Sequence, residues 1–301
     1  MRALVTGATG FVGRRLLARL DRPVIFSRNA RRAAEQLVEY HVTAHGWDPL
    51  SGPPPAEALA GVDTIFHLAG EPVGEERWND ALRKRIADSR VVGTRNLVEG
   101  LASLDQRPKV LVCASAVGYY GAHGGEGIDE STPPGDDFLA QVCVDWEREA
   151  ARAEDFGVRV VSVRIGVVLG KGGGALAKML TPFRLGLGGR LGHGRQWMPW
   201  VHVDDVVGVM LHAAADEQIR GPINATAPVA ATNLQFTKAL GKALHRPTIF
   251  PMPAPILRLL VGPFAEIILC SQQITPRVAQ ESGYEFQYSD VDSALAEIVG
   301  A

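Results

Sequence analysis

Short apolar runs rich in β-branched residues alternate with longer amphipathic segments through the first two-thirds of the chain. This alternation is typical of a parallel sheet wrapped by helices. The runs that predict β-strands are Arg2–Thr6, Val24–Phe26, Val42–His45, Thr64–Leu68, Val110–Ala114 and Val158–Arg164.

Between these runs, apolar positions recur at helical spacing over Val12–Leu20, Asn79–Leu101 and Val142–Phe156. The last segment ends before Gly157, a residue type that favours a helix C-terminus. Strands and helices of this length predict right-handed βαβ crossovers. We therefore expect an α/β fold, a Rossmann-type doubly wound parallel sheet.

The pattern changes after Arg164. Glycine is dense at 170–174 and 186–194, and proline becomes frequent from Pro222 onward. We expect residues 1–225 to form a dinucleotide-binding domain and residues 226–301 a smaller C-terminal α/β cap on the substrate side. The second glycine-rich segment is either a substrate lid or an irregular connector that buries Trp197 and Trp200.

Composition narrows the class of protein. The chain has 301 residues, 46% of them hydrophobic, and a formal net charge of -2, which is typical of a globular protein and argues against a nucleic-acid binder. The three cysteines are scattered, so neither a disulfide framework nor a metal site is predicted. The N-terminus shows no leader pattern and charges interrupt the apolar tail, so we expect a soluble, cytoplasmic protein without a membrane partner.

The clearest motif is a glycine-rich turn between the first predicted strand and helix. Gly7, Thr9, Gly10, Phe11, Val12 and Gly13 belong to it, and we assign all six to cofactor binding. The spacing G-x-x-G-x-x-G provides a tight turn, a close backbone approach to pyrophosphate and close packing of the helix. Backbone N–H groups at the helix start then favour the anion.

The end of the second strand indicates which dinucleotide binds. An NAD enzyme places an acidic residue there, whereas this chain has Ser27 and Arg28. Arginine binds phosphate in a bidentate manner, so these residues favour NADP(H) over NAD(H). The alternative is a solvated basic helix start.

Further motifs extend over nearly the whole chain: HLAGEPV at 67–73, DSR at 88–90, SAVGYYG at 115–121, DWE at 145–147, RIGVVLG at 164–170, VHVDD at 201–205 and GYEF at 283–286. Together they resemble the extended short-chain dehydrogenase/reductase superfamily, in its NAD-dependent epimerase/dehydratase group. The closest resemblance is to the atypical YfcH-like epimerase family, whose C-terminal region is a domain of unknown function.

The resemblance implies roles for residues at the ends of several strands. Leu68, Ala69 and Gly70 would line the adenine and ribose side, and Arg90 would face the cofactor from a helix. Ala114 and Ser115 would lie beside the nicotinamide, with Ser115 also catalytic. The loop that contains Gly166, Val167 and Val168 would flank the carboxamide.

The chain departs from the family in its acid/base pair. Typical members use Tyr-x-x-x-Lys followed four residues later by Glu, and alignment on Glu147 places Leu139 and Cys143 at those two positions. Neither side chain performs the proton transfer of the tyrosine or the charge stabilisation of the lysine. Tyr119 or Tyr120 is a candidate replacement; the alternative for both is packing, with the hydroxyl bonded to backbone.

Substrate contacts are less strongly indicated. Glu71 and Trp78 follow the Gly70 turn, and Arg195 lies in the second glycine-rich segment, so we expect these three to contact substrate. Trp146 has the helical spacing of a core residue. Asp204 and Asp205 are expected to cap a helix.

Two functions remain open at this point. The first is a nucleoside-diphosphate-sugar-epimerase-like NADP(H) oxidoreductase or epimerase acting on a small carbonyl or alcohol substrate. The second is an NADP(H)-binding sensor or scaffold that has lost its chemistry. A homodimer is a further expectation from the resemblance.

Overall fold

A computed structural model describes residues 1–122 and 127–300. Its centre is a seven-stranded sheet in which every neighbouring pair is parallel. The strands are β1 (Ala3–Thr6), β2 (Val24–Ser27), β3 (Thr43–Gly46), β4 (Thr64–His67), β5 (Val110–Ala116), β6 (Arg159–Ile165) and β7 (Gly221–Ala225). Their spatial order is β3-β2-β1-β4-β5-β6-β7, which confirms the doubly wound Rossmann-type prediction.

Helices cover both faces of the sheet and form most of the C-terminal region. They are α1 (Phe11–Leu17), α2 (Ala30–Gln36), α3 (Ala56–Leu59), α4 (Asp80–Ala102), α5 (Phe138–Ala151), α6 (Gly174–Arg184), α7 (Val203–Ala215), α8 (Asn233–Leu244), α9 (Ala254–Val261), α10 (Phe264–Leu269), α11 (Arg277–Glu281) and α12 (Val291–Gly300).

Local sequence explains where two of the longest helices begin. Asn79 accepts a hydrogen bond from the backbone N–H of Leu82, and Asp137 accepts one from Ala140, so each caps its helix. Helix α5 was predicted to begin at Val142. It begins one turn earlier, at Phe138, because Asp137 provides the cap. It ends in a 3-10 turn that stops at Gly157, whose φ is +80°.

A short strand immediately precedes α7. Trp200–His202 pairs in parallel with Val167–Leu169, and α7 follows from Val203. The predicted capping role of the neighbouring aspartates is wrong, because the His202 side chain accepts the N–H of Asp204.

The two aspartates bind other elements. Asp204 forms an ion pair with Arg15 of α1. Asp205 is fully buried, and its carboxylate accepts the backbone N–H groups of Gln287 and Tyr288 and the hydroxyl of Tyr284. A buried carboxylate needs such donors, so this residue holds the C-terminal tail against the sheet domain.

The residues after β7 pack on the carboxyl side of the sheet. Helices α8 and α12 share one hydrophobic cluster with Leu169 and Trp200, which precede β7 in the sequence. Trp200 is fully buried there, whereas Trp197 is half-buried and its short strand pairs with Ala231–Thr232. Within the described ranges, no helix has both the length and the apolar character needed to cross a bilayer.

Candidate active site

A cleft lies where β1 and β4 end and α1 begins. Its volume is about 420 Å³. We call it the glycine-turn cleft, and its lining residues are Gly7, Gly10, Phe11, Val12, Gly13, Leu68, Gly70, Glu71, Pro72, Val73, Arg90, Trp146, Val168, Gly174 and Ala175. Many of the residues assigned to the cofactor from sequence therefore meet in one place, at the edge of the sheet where ligands bind in this fold.

Two glycines of the turn have no room for a side chain. Gly7 has a φ of +66°, and a Cβ there would lie 2.7 Å from the backbone of Leu68. A Cβ on Gly13 would lie 2.4 Å from the carbonyl oxygen of Gly7. The turn thus folds tightly on itself and against the end of β4, and bare backbone faces the cleft at Gly7 and Gly10.

A buried hydrogen-bond chain fixes the two strands that carry the cleft. The Thr6 hydroxyl accepts the N–H groups of Leu68 and Ala69, both at 3.1 Å, and contacts Nδ1 of His67 at 2.8 Å. Because its lone pairs are used, Thr6 donates to Nδ1, and Nε2–H of His67 then donates to Thr94 at 3.0 Å. Burial lowers the pKa of His67 to about 4, so the ring is neutral. Sequence reasoning missed this role.

Arg90, expected from the resemblance to face the cofactor, forms one wall of the cleft. Its guanidinium packs on Gly70, donates to the carbonyl oxygens of Glu71 at 3.0 Å and Ile86 at 3.1 Å, and lies over the Trp146 ring at 5.2 Å. Burial lowers the pKa of Arg90. Trp146 is a core residue, as predicted, with 4% of its surface exposed, yet it also lines the cleft.

The glycines at 170–174 bring α6 to the opposite wall. A Cβ on Gly173 would lie 2.3 Å from the Phe11 ring, and one on Gly170 would lie 2.7 Å from the same ring. Gly174 and Ala175 therefore line the cleft together with the glycine turn. The density of glycine was the signal for this close approach, but the sequence did not show that Phe11 was its partner.

Residues 71–78, here called the rim loop, contribute Glu71, Pro72 and Val73 to the lining of the cleft. Glu71 lines the cleft, and its carboxylate accepts from Arg85 at 3.1 Å. The indole N–H of Trp78 donates to the carbonyl of Val73 at 2.7 Å, and Lys178 of α6 donates to the carbonyl of Gly74. The loop thereby connects the start of α4 to α6.

Three of the predicted site residues lie outside the glycine-turn cleft. Ser27 ends β2, the neighbour of β1, and its hydroxyl accepts the N–H of Asn29, while Arg28 is exposed. Arg195 is also exposed and its backbone N–H donates to His193. The cleft-lining residues include none of these three.

Ser115 is turned into the protein. Its hydroxyl donates to Glu147 at 2.6 Å, and only 3% of its surface is exposed. Arg164 binds the same carboxylate through Nε at 2.9 Å and a terminal nitrogen at 2.8 Å. The hydroxyl therefore has a structural partner in this network, and its catalytic role stays a prediction.

The two tyrosines differ. Tyr120 is fully buried, its hydroxyl donates to Asn224 at 2.7 Å and accepts from Arg164 at 3.1 Å, and burial raises its pKa to about 12. These contacts favour the packing alternative for Tyr120, although its hydroxyl bonds side chains and not backbone, and its acid/base role stays a prediction. Tyr119 is only half-buried, and the Arg164 guanidinium lies 3.4 Å from its ring centre.

The family that this chain resembles has a tyrosine and a lysine at two positions that are apolar here. Leu139 and Cys143 both face Gly118, where a Cβ would lie 3.4 Å from the first and 3.9 Å from the sulfur of the second. Burial raises the pKa of Cys143 to about 12, so the thiol stays protonated. Neither residue supplies a cation or a proton at neutral pH.

The remaining residues that were assigned to the cofactor lie in the loop after β6 and within β5. Gly166 donates to Ala225, and a Cβ there would lie 2.2 Å from the carbonyl oxygen of Pro199. Val168 lines the cleft, Val167 is half-buried, and Ala114 is buried within β5. The described residues contain no group of three or more His, Cys, Asp or Glu side chains arranged to hold a metal ion.

Comparison with known proteins decides the family. Residues 3–225 match the model of the NAD dependent epimerase/dehydratase family, and residues 252–298 match a domain of unknown function, DUF1731. The chain belongs to the NAD dependent epimerase/dehydratase family. Its epimerase-like fold is therefore of the NAD(P)-binding type, and the C-terminal match agrees with the YfcH-like resemblance.

Several relatives are similar over nearly the whole of this chain. An epimerase family protein of Mycobacterium bovis is 38% identical over 97% of this chain and 95% of its own. The crystal structure of the human epimerase family protein SDR39U1 with NADPH has a TM-score of 0.89 and 35% identity, over 100% of this chain and 99% of that chain. A nucleoside-diphosphate sugar epimerase from Corynebacterium glutamicum has a TM-score of 0.74 and 33% identity, over 100% of this chain and 58% of that chain.

Proposed function

We propose that this protein binds NADP(H) in the glycine-turn cleft and acts as an oxidoreductase or epimerase on a small carbonyl or alcohol substrate. The observation that carries the proposal is the bare backbone of the glycine turn, where a Cβ at Gly7 or Gly13 would collide with neighbouring backbone. Such a surface admits a pyrophosphate close to backbone N–H groups. The human relative was crystallised with NADPH.

The phosphorylated dinucleotide is favoured by the end of β2. Ser27 stands where an acidic residue would repel a 2′-phosphate, and Arg28 follows it with an exposed side chain. The guanidinium is therefore available to a phosphate at the ribose end of the site. Gly7, Gly10 and Gly13 would hold the pyrophosphate, with Phe11 and Arg90 on the walls.

When bound, the nicotinamide supplies or accepts a hydride. The protein must then move a proton to or from the substrate oxygen. Tyr119 is the remaining candidate for that proton, because Ser115 and Tyr120 are committed to buried partners. Its ring is fixed by the Arg164 guanidinium, which Glu147 holds in place.

A second candidate function is an NADP(H)-binding sensor or scaffold without chemistry. A specific observation favours it: the hydroxyl of Ser115 is bonded to Glu147, and the usual tyrosine and lysine positions hold Leu139 and Cys143. A cofactor site would then remain without an acid/base group.

Calorimetric titration of the full chain with NADPH and NADH tests cofactor binding. We expect NADPH to bind at least about tenfold more tightly, and Arg28→Ala to remove most of that preference, because a charged hydrogen bond is lost. Arg31→Ala is the matched control, since that exposed side chain lies one turn further on and pairs with Glu35. Equal affinities of the wild type for both dinucleotides would contradict the choice of NADP(H).

Turnover separates the two functions. A panel of carbonyl compounds is screened for oxidation of NADPH at 340 nm, and the active compound is tested with Tyr119→Phe. An enzyme that uses Tyr119 loses turnover but keeps its NADPH affinity. Turnover that survives this substitution excludes Tyr119 as the proton donor, whereas NADPH binding without turnover on any compound supports the sensor.

A further inference from the structure

Arg83 lies close to the rim of the glycine-turn cleft and has no anionic partner among residues 1–122 and 127–300. Its guanidinium lies 5.8 Å from the ring centre of Trp78 and 5.7 Å from that of Phe138. Its Nε is buried and has no hydrogen-bond partner in the described ranges. Two aromatic faces therefore hold the group in one orientation while part of its donor capacity stays unused.

The neighbouring cations on α4 are satisfied within the protein. Lys84 pairs with Asp88, and Arg85 pairs with Glu71 and Glu76. Arg90 donates to backbone carbonyls. Among these four, only Arg83 has neither a carboxylate nor a carbonyl acceptor for its side chain within residues 1–122 and 127–300.

The aromatic residues around Arg83 place it beside the proposed reaction site. Trp78 donates to Val73, which lines the cleft, and its ring lies 6.1 Å from that of Phe264. Phe138 precedes Leu139, whose side chain packs on Gly118 next to Tyr119. Arg83 thus lies between the rim loop and the loop that carries the candidate proton donor.

The geometry points to Arg83 as an anion-binding residue: we infer that its guanidinium binds a carboxylate or phosphate group on the substrate. This inference rests on the proposed function, to which it adds a substrate class. The two terminal nitrogens of a guanidinium share an edge and match two oxygens of an oxyanion. The residue is only partly buried while its Nε is closed off, so an anion would bind along this terminal edge and neutralise a charge that has no carboxylate partner in the described ranges.

The test uses the full chain saturated with NADP⁺, so that added anions do not compete for the site of the 2′-phosphate. Inorganic phosphate and acetate are titrated separately while tryptophan fluorescence is followed. An anion bound to Arg83 neutralises the charge that faces the Trp78 ring, so the emission of this tryptophan should change. We expect saturable quenching by at least one of the two, and the one that acts identifies whether phosphate or carboxylate is preferred. Trp78→Phe should lose the signal.

Arg83→Gln should weaken anion binding by at least about tenfold, as expected for loss of a charged hydrogen bond. Arg83→Lys should retain part of the affinity, and Lys84→Gln, which alters an exposed side chain paired with Asp88, should retain all of it. An unchanged affinity in Arg83→Gln, or no anion binding by the wild type, overturns the inference.

The NADP⁺ affinity of each variant keeps the two proposals separate. Normal NADP⁺ binding by Arg83→Gln shows that the variant is folded, so that a loss of anion binding is then local. Failure of the wild type to bind NADP⁺ contradicts the proposed function itself, whatever the anions do.

Discussion

The hydroxyl of Ser115 donates to the carboxylate of Glu147 at 2.6 Å, within a network that Arg164 completes. The serine that sequence reasoning placed in catalysis is therefore a link between β5 and α5. The same carboxylate receives two further bonds from the guanidinium, so each group in the network is satisfied by another.

Ser115→Ala should lower the free energy of unfolding by about 1–2 kcal/mol, because Glu147 loses one buried donor but keeps Arg164. NADPH affinity should change less than twofold. Urea unfolding and calorimetric titration measure the two quantities. An unchanged stability together with lost turnover would place the hydroxyl in the cleft instead.

Gly13→Ala should disrupt the glycine turn, because its new Cβ would meet the Gly7 carbonyl oxygen at 2.4 Å. We expect a loss of about 1–3 kcal/mol in unfolding free energy, the range for an overpacked site, and NADPH binding weakened more than about tenfold. Gly46→Ala is the control, since a Cβ there has no atom within 4 Å. Equal NADPH affinity in both variants would show that the turn does not carry the cofactor.

The sequence predicted the sheet and the glycine turn because both depend on local patterns, namely β-branched runs and glycine spacing. The orientation of Ser115 was not predictable from such a pattern. Both faces of β5 are buried, so its residues show no polar alternation to reveal which face the hydroxyl takes. The contact of Phe11 with Gly173 and the capping of α7 by His202 depend on tertiary packing between distant segments.

The reactivity of Cys143 and Cys270 tests how deeply the two thiols are buried. Burial raises the pKa of Cys143 to about 12 and that of Cys270 to about 11. We expect both thiols to react slowly with a disulfide reagent at pH 8, with the half-buried Cys270 ahead of the buried Cys143. Cys270→Ser should remove the faster phase, and unfolding in urea should make every thiol react. Rapid labelling of Cys143 in the native protein would mean that the lysine-equivalent position is open to solvent.

His67 should make the stability depend on pH below neutrality. Burial lowers its pKa from 6.5 to about 4, so the folded state binds fewer protons than the unfolded state. Its contribution to stability is present above pH 6.5 and is lost as the pH falls through 4. Linkage gives a decrease of roughly 2 kcal/mol in unfolding free energy between pH 7 and pH 5.

Urea unfolding at several pH values measures this decrease. His67→Gln should be less stable at pH 7, because the bonds to Thr6 and Thr94 are altered, but its stability should fall less steeply towards pH 5. His193→Gln, at an exposed position, should retain the slope of the wild type. Other buried acids titrate equally in all three proteins, so the difference between slopes belongs to the imidazole. Parallel curves for wild type and His67→Gln would show that the ring is not held neutral between β1 and α4.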